Sequence, residues 1–152
     1  MKLNKKSKSE GSSEPLFRKL DCYSLPVEDL DAALEFYGKL GHRLLLREGD
    51  GAAGLSMPES EAEIVLHTGD RPAETYFLVR SVPEAIARIE RAGGRLVAGP
   101  VEIGVGLYAN LHDPWKNPLV ILDFSKGMLK TDPEGNVTGN LAPDPHTTQD
   151  KT

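Results

Sequence analysis

The 152-residue chain holds one cysteine, Cys22, and one tryptophan, Trp115, and only 6% of its residues are aromatic. A single cysteine excludes an intrachain disulfide, so packing alone must hold the fold, as suits a reducing cytoplasm. Positive charge is in deficit: 18 Lys and Arg stand against 23 Asp and Glu, a formal charge of −5. The basic surface of a nucleic-acid-binding or polybasic membrane-binding domain is therefore missing. No apolar run approaches the ~20 residues that a bilayer span needs. The opening MKLNKKSKSEGSSEP is basic, yet it lacks the apolar stretch of a secretion signal. The expected molecule is soluble and cytoplasmic, with no nucleic-acid or membrane partner.

What is present is ordinary for a globular protein: 39% hydrophobic and 27% charged residues, enough for one compact domain. Residues 1–15 are rich in Lys and Ser without periodicity and read as a disordered basic tail. Residues 128–152 read as a mostly disordered second tail. Within it, Asp132-Pro133 and Gly135-Asn136 supply turn chemistry for a hairpin over 129–139.

The middle of the chain, 16–127, contains a repeat. VEDLDAALEFYGKLGHRLL (27–45) aligns without a gap on VRSVPEAIARIERAGGRLV (79–97), 52 residues later. Val27 falls on Val79, Ala33 on Ala85, Tyr37 on Ile89 and Gly41 on Gly93. Each copy places apolar residues at the i, i+3, i+4, i+7 spacing of an amphipathic helix. Asp29 and Ser81 stand at the N-cap positions, and Gly41 and Gly93 at the C-terminal stops. Strand-like segments surround each helix: 20–27, 42–48, 53–57 and 63–68 in the first copy, then 74–79, 95–103, 106–112 and 118–124 in the second. The predicted fold is therefore α+β, with two strand–helix–three-strand (βαβββ) modules, 18–70 and 72–126. Neither module has enough core to stand alone.

Paired modules with VEDLDAALEFYGKLG in the first and DPWKNPLVILD in the second resemble the vicinal oxygen chelate superfamily, the glyoxalase, bleomycin-resistance and extradiol-dioxygenase group. The resemblance implies curled mixed sheets around a cleft in which inward-facing His or Glu residues bind a divalent metal. Carried over one at a time, the family's ligand positions fall on Cys22, Val65, Glu74 and Val120. Neither valine has an electron pair to offer, so no cofactor is expected. A register using Cys22, His67 and Glu74 is the remaining set for a divalent metal. The family's turn commonly holds Gly where this chain has Lys116, and Asn117 is expected to take up the left-handed conformation there.

Among single residues Glu74 is the best catalytic candidate, as a general base if it faces an apolar cleft; beside Arg71 it reads more simply as a solvated strand-start carboxylate. Cys22 reads more simply as a small buried hydrophobe. Strand alternation places Ser24, His67, Tyr76 and Tyr108 along the cleft, a mixture suited to an amphipathic small molecule. Trp115 in its turn is a further ligand-contact candidate. His42 and His112 read as structural, with His42 meeting the negative end of the first helix.

Three functions follow. The resemblance to metal-free antibiotic-sequestering members implies a small-molecule binding protein, commonly a homodimer whose cleft a second chain completes. A metal-dependent lyase, isomerase or dioxygenase is the second reading, against which the ligand positions count. A dimerisation module without a ligand is the third.

Overall fold

A computed structural model gives the fold and describes residues 14–143. The expectations for residues 1–13 and 144–152 lie outside the described residues. Helix α1 (Leu30–Lys39) begins where the Asp29 carboxylate accepts from the Ala32 amide at 3.0 Å. Helix α2 (Val82–Arg91) begins where the Ser81 hydroxyl accepts from the Glu84 amide at 3.3 Å. Both N-caps satisfy amide donors that a helix start otherwise leaves open. Gly41 and Gly93 follow with φ of 95° and 112°, the left-handed stop expected of them.

Eight strands form one sheet. In chain order they are β1 (Lys19–Pro26), β2 (Leu44–Glu48), β3 (Ala52–Met57), β4 (Ser60–His67), β5 (Glu74–Leu78), β6 (Arg95–Glu102), β7 (Leu107–His112) and β8 (Pro118–Leu122). Their spatial order is β2-β3-β4-β1-β5-β8-β7-β6. Each module closes on itself through a parallel pair, β1 with β4 and β5 with β8. The modules then join through an antiparallel β1–β5 ladder. The two βαβββ modules therefore pair within one chain.

Alternation along the strands divides the side chains between two faces. On one face, Ala53, Leu55, Ile64 and Leu66 pack with Leu25 against Leu30 and Ala33 of α1. In the second module Val79, Ala109, Leu111 and Ile121 pack against Val82, Ala85 and Ile89 of α2. Both helices thus cover the same face, each over its own small core, and the opposite face is left to line a cleft.

Asp123, one residue beyond β8, is 1% exposed and accepts four hydrogen bonds. Its donors are the Val82 amide at 2.8 Å, the Leu107 amide at 3.0 Å, and the Ser125 amide and hydroxyl at 3.1 and 2.7 Å. Val82 is the first residue of α2, so the carboxylate also meets the positive end of that helix.

The DPWKN turn is built around Asp113, which accepts from the Trp115 and Asn117 amides, both at 2.9 Å, and from Asn117 Nδ2 at 2.8 Å. DPEGN (132–136) repeats the arrangement: Asp132 accepts from the Glu134 and Asn136 amides at 2.9 and 2.8 Å. The left-handed residue is Gly135 in one turn, φ 91°, and Lys116 in the other, φ 70°. Lys116, not Asn117, carries the strain, because both nitrogens of Asn117 are bonded to Asp113 and the bend must fall one residue earlier. The cost is about 1 kcal/mol.

Beyond the eight-stranded sheet, β9 (Leu129–Thr131) and β10 (Val137–Asn140) form a two-stranded hairpin. It is docked rather than free: the Arg47 amide of β2 donates to the Gly135 carbonyl at 2.8 Å. Among the described residues no helix is long and apolar enough to cross a membrane.

Asp123→Ala would strand several buried donors at once. The expected loss is roughly 3 kcal/mol, or about 10 °C in melting temperature for a chain of this size. A thermal melt checks it, and a shift under about 2 °C would refute the role given to this carboxylate.

Candidate functional site

The strand face opposite the helices encloses a cleft of about 510 Å³, within the ~300–1,000 Å³ range of small-molecule sites. The ladders set its floor. Ser24 lies between Val65 and Glu74 in register, and Cys22 between Glu63 and Tyr76. Tyr76 in turn pairs with Val120, and Leu122 with Tyr108. The four family positions, Cys22, Val65, Glu74 and Val120, therefore share one face of the sheet. Ser24, His67, Tyr76 and Tyr108 all line the cleft, as their strand parity requires. Trp115 does not: it stands 78% exposed, because the Asp113-anchored turn directs the chain away from the sheet.

One end of the cleft is organised by Arg71, from the β4–β5 connection. Its guanidinium bonds Glu74 Oε1 at 2.5 Å and donates to the Tyr108 hydroxyl. It also lies 4.6 Å from the Tyr108 ring centre and 5.8 Å from that of Tyr76, within cation–π range. The two rings stack at 6.3 Å. Glu74 is thus neither solvated nor a free base. Its side chain is 11% exposed and committed to Arg71, and Arg71 is what the cleft presents. Burial pushes the Tyr76 hydroxyl up to about 12, with Glu74, Cys22 and Tyr108 adding to the effect. Burial and the Arg71 charge hold the His67 imidazole below its ordinary range. Its Nε2 is buried without a hydrogen-bond partner among the described residues.

The other end is acidic. A β-bulge in β1 inserts Asp21 between Leu20 and Cys22, which brings Asp21 into the cleft lining beside Cys22 despite adjacent sequence positions. Glu63 faces Cys22 across the β1–β4 ladder. Its carboxylate lies over Gly54, where any side chain would collide with it. Glu48 also lines the cleft, but level with Ala52 and His67 along the strands rather than with Glu63. Burial raises Asp21 and Glu63 above the usual carboxylate range, and the neighbouring Asp21 charge adds to the rise at Glu63. The Cys22 thiol is pushed up by burial and then by Asp21 and Glu63. That is the reverse of what a nucleophile needs.

These side chains do not fit the divalent metal that the resemblance implies. Cys22 and His67 sit four residues apart along the parallel ladder, where Cys22 pairs with Glu63 and Pro26 with His67. That is about 13 Å of strand, whereas metal–ligand bonds are about 2 Å. Among the described residues no three His, Cys, Asp or Glu side chains converge on one point. Val65 and Val120 offer no donor, and Glu74 already neutralises a guanidinium.

A second hollow of about 760 Å³ lies at the end of α1, lined by Leu40, His42, Met57 and their neighbours. It lacks the convergent acids, aromatics and Arg71 that mark the cleft. His42 meets the C-terminal end of α1, its amide donating to the Tyr37 carbonyl at 3.2 Å, and its Nδ1 also bonds the Ser56 carbonyl of β3 at 3.0 Å. His112 pairs with Arg95 across the β6–β7 ladder at 3.3 Å.

Asp21, Glu48 and Glu63, the central role of Arg71, and the hairpin residues Met128 and Leu129 were not singled out in the sequence. Glu63 alone had a legible signal, two residues before Val65 on the same face.

The family model of the Glyoxalase/Bleomycin resistance protein/Dioxygenase superfamily matches residues 19–121, and the chain belongs to that superfamily. Among solved structures it resembles methylmalonyl-CoA epimerase from Mycobacterium tuberculosis at 22% identity and a TM-score of 0.59, covering 73% of this chain and 91% of that one. Hypothetical protein BH1468 from Bacillus halodurans C-125 gives 22% identity and 0.58, with 75% and 98% covered. Homoprotocatechuate 2,3-dioxygenase from Brevibacterium fuscum gives 24% and 0.53, covering 72% of this chain and 37% of that one. Identities this low carry the fold alone. No curated protein matches the chain.

The raised Glu63 gives a pH signature. A carboxyl whose folded pKa is raised favours folding below its unfolded pKa, and that contribution is lost as pH rises through the folded value. Glu63→Gln is therefore expected to raise the melting temperature at pH 7.5 and to give no advantage at pH 4. Equal melting temperatures of variant and parent at pH 7.5 would contradict the burial of this charge.

Proposed function

We propose that this chain is a metal-free member of its superfamily that binds a small amphipathic molecule in the cleft. The observation that carries the reading is the donor set. Valines stand at two of the four ligand positions, and the carboxylate at a third is paired with Arg71. Aromatic and aliphatic walls suit the apolar body of a ligand. The acids Asp21 and Glu63 at one end and Glu48 elsewhere along the lining, with a net charge of −5, favour a ligand bearing a positive group.

Two measurements test this. Metal analysis of protein purified without chelator should find divalent metal far below one equivalent per chain; stoichiometric Zn, Ni, Mn or Fe would restore the enzyme reading. A panel of small aromatic amines, with uncharged isosteres for comparison, should include binders that raise the melting temperature. At 100 times its Kd a ligand adds about 2.7 kcal/mol, or roughly 5–10 °C here. No response to any of them would leave the dimerisation reading.

A cytoplasmic homodimer belongs to the same proposal. Phe36 and Leu40, 55% and 60% exposed at the end of α1, support an association surface. Sedimentation at twice the chain mass is expected, and sedimentation at the monomer mass would overturn it.

A further inference from the structure

The family match ends at residue 121, but the chain continues into the cleft. After Asp123 the Lys126 amide donates to the Val105 carbonyl at 2.7 Å, and the Leu141 amide donates to the Met128 carbonyl at 2.8 Å. Between these points the β9–β10 hairpin reaches β2, where Gly135 accepts from the Arg47 amide at 2.8 Å. Asn140 Nδ2 holds the base of the hairpin by donating to the Gly104 and Gly127 carbonyls, both at 2.9 Å.

These contacts sit at a particular place. β2 and β6 are the two outer edges of the eight-stranded sheet, and Gly104 lies in the turn that follows β6. A methyl group built on Gly104 would stand 3.4 Å from both Glu48 Oε2 and Leu129 Cδ2. The sheet therefore curls until β2 of the first module and the β6–β7 turn of the second nearly meet, and the hairpin spans the seam. Met128 and Leu129 line the cleft together with Ile103, Val105 and Phe124, all from segments that the hairpin contacts or follows.

We infer that the C-terminal hairpin is a wall of the binding site, supplied by the chain itself, with Leu129 and Met128 meeting the apolar part of the ligand and Asn140 holding the wall in place. The ligand contact rests on the binding reading above; the wall does not. Leu129 then limits the size of molecule accepted. Asn140 is a positioning residue.

Cys22 gives a readout independent of any ligand. It is the single thiol of the chain, it lines the cleft, and it is 7% exposed. Its reaction with 5,5′-dithiobis(2-nitrobenzoate) in the native full-length protein reports how often the cleft opens. Asn140→Ala is expected to speed that reaction about tenfold, the equivalent of one or two lost hydrogen bonds. Ile89→Val, in the α2 core, serves as the control for general destabilisation and should leave the rate unchanged. Equal rates for Asn140→Ala and the parent, or equal acceleration by Ile89→Val, would overturn the wall. Leu129→Trp, which fills the cleft, should slow Cys22 labelling and weaken binding of an aromatic amine such as tryptamine at least tenfold. Tryptamine binding undiminished by Leu129→Trp would remove the hairpin from the ligand site while leaving the binding reading intact. Rapid Cys22 labelling in Asn140→Ala, with no amine bound by the parent protein, would keep the wall and sink the ligand contact together with the binding reading.

Discussion

The antiparallel ladder between β1 and β5 is the constraint on which the site depends. It sets Ser24 opposite Glu74 and Cys22 opposite Tyr76, and so brings two half-clefts from two modules into one. A slip of one residue would turn every one of these side chains to the helix-covered face. The same ladder contains the bulge at Asp21, which adds a carboxylate to the cleft that a regular strand would have pointed away. Both the floor of the site and its charge therefore originate at the seam between the repeats.

Around that seam the molecule divides its labour by face. The helix-covered side holds two small cores, one per module, and neither extends into the cleft. Folding is secured there and at the buried Asp123 carboxylate, which joins the start of α2, the start of β7 and the chain leaving β8. The cleft side works against stability. It keeps two carboxylates and a thiol partly desolvated side by side, and an imidazole nitrogen without a partner among the described residues. Charges held in such surroundings cost free energy unless something binds them. At the opposite end Arg71 is the cation that Glu74 holds, so the carboxylate that the family places near a metal is here neutralised by the chain itself.

Much of this was legible in the sequence. The 52-residue repeat gave both helices, their caps and the order of strands, because helix and strand periods are local and each module repeats them. Strand parity placed Ser24, His67, Tyr76 and Tyr108 on one face, and the ladders keep them there. Parity failed at Asp21, since a bulge leaves no mark in an alternation pattern. Trp115, a turn residue outside any strand pattern, stands outside the cleft, since its exposure depends on how the turn projects from the sheet. Lys116 took the bend assigned to Asn117 because Asp113 captured both nitrogens of its neighbour. DPEGN shows the same turn with glycine at that position, so the comparison was available within the chain.

The sequence by itself determined the elements, the repeat of like modules and the absence of donors at Val65 and Val120, because residue type and spacing decide these over a few turns or strands. The tertiary structure decided that Arg71 reaches Glu74 and Tyr108 together, that Asp21 turns inward, and that the hairpin at 129–140 closes the seam between β2 and the β6–β7 turn. Each of these joins groups far apart in the chain, or depends on curl and bulge in a sheet. Those shapes arise only when all eight strands are assembled, so no local pattern records them.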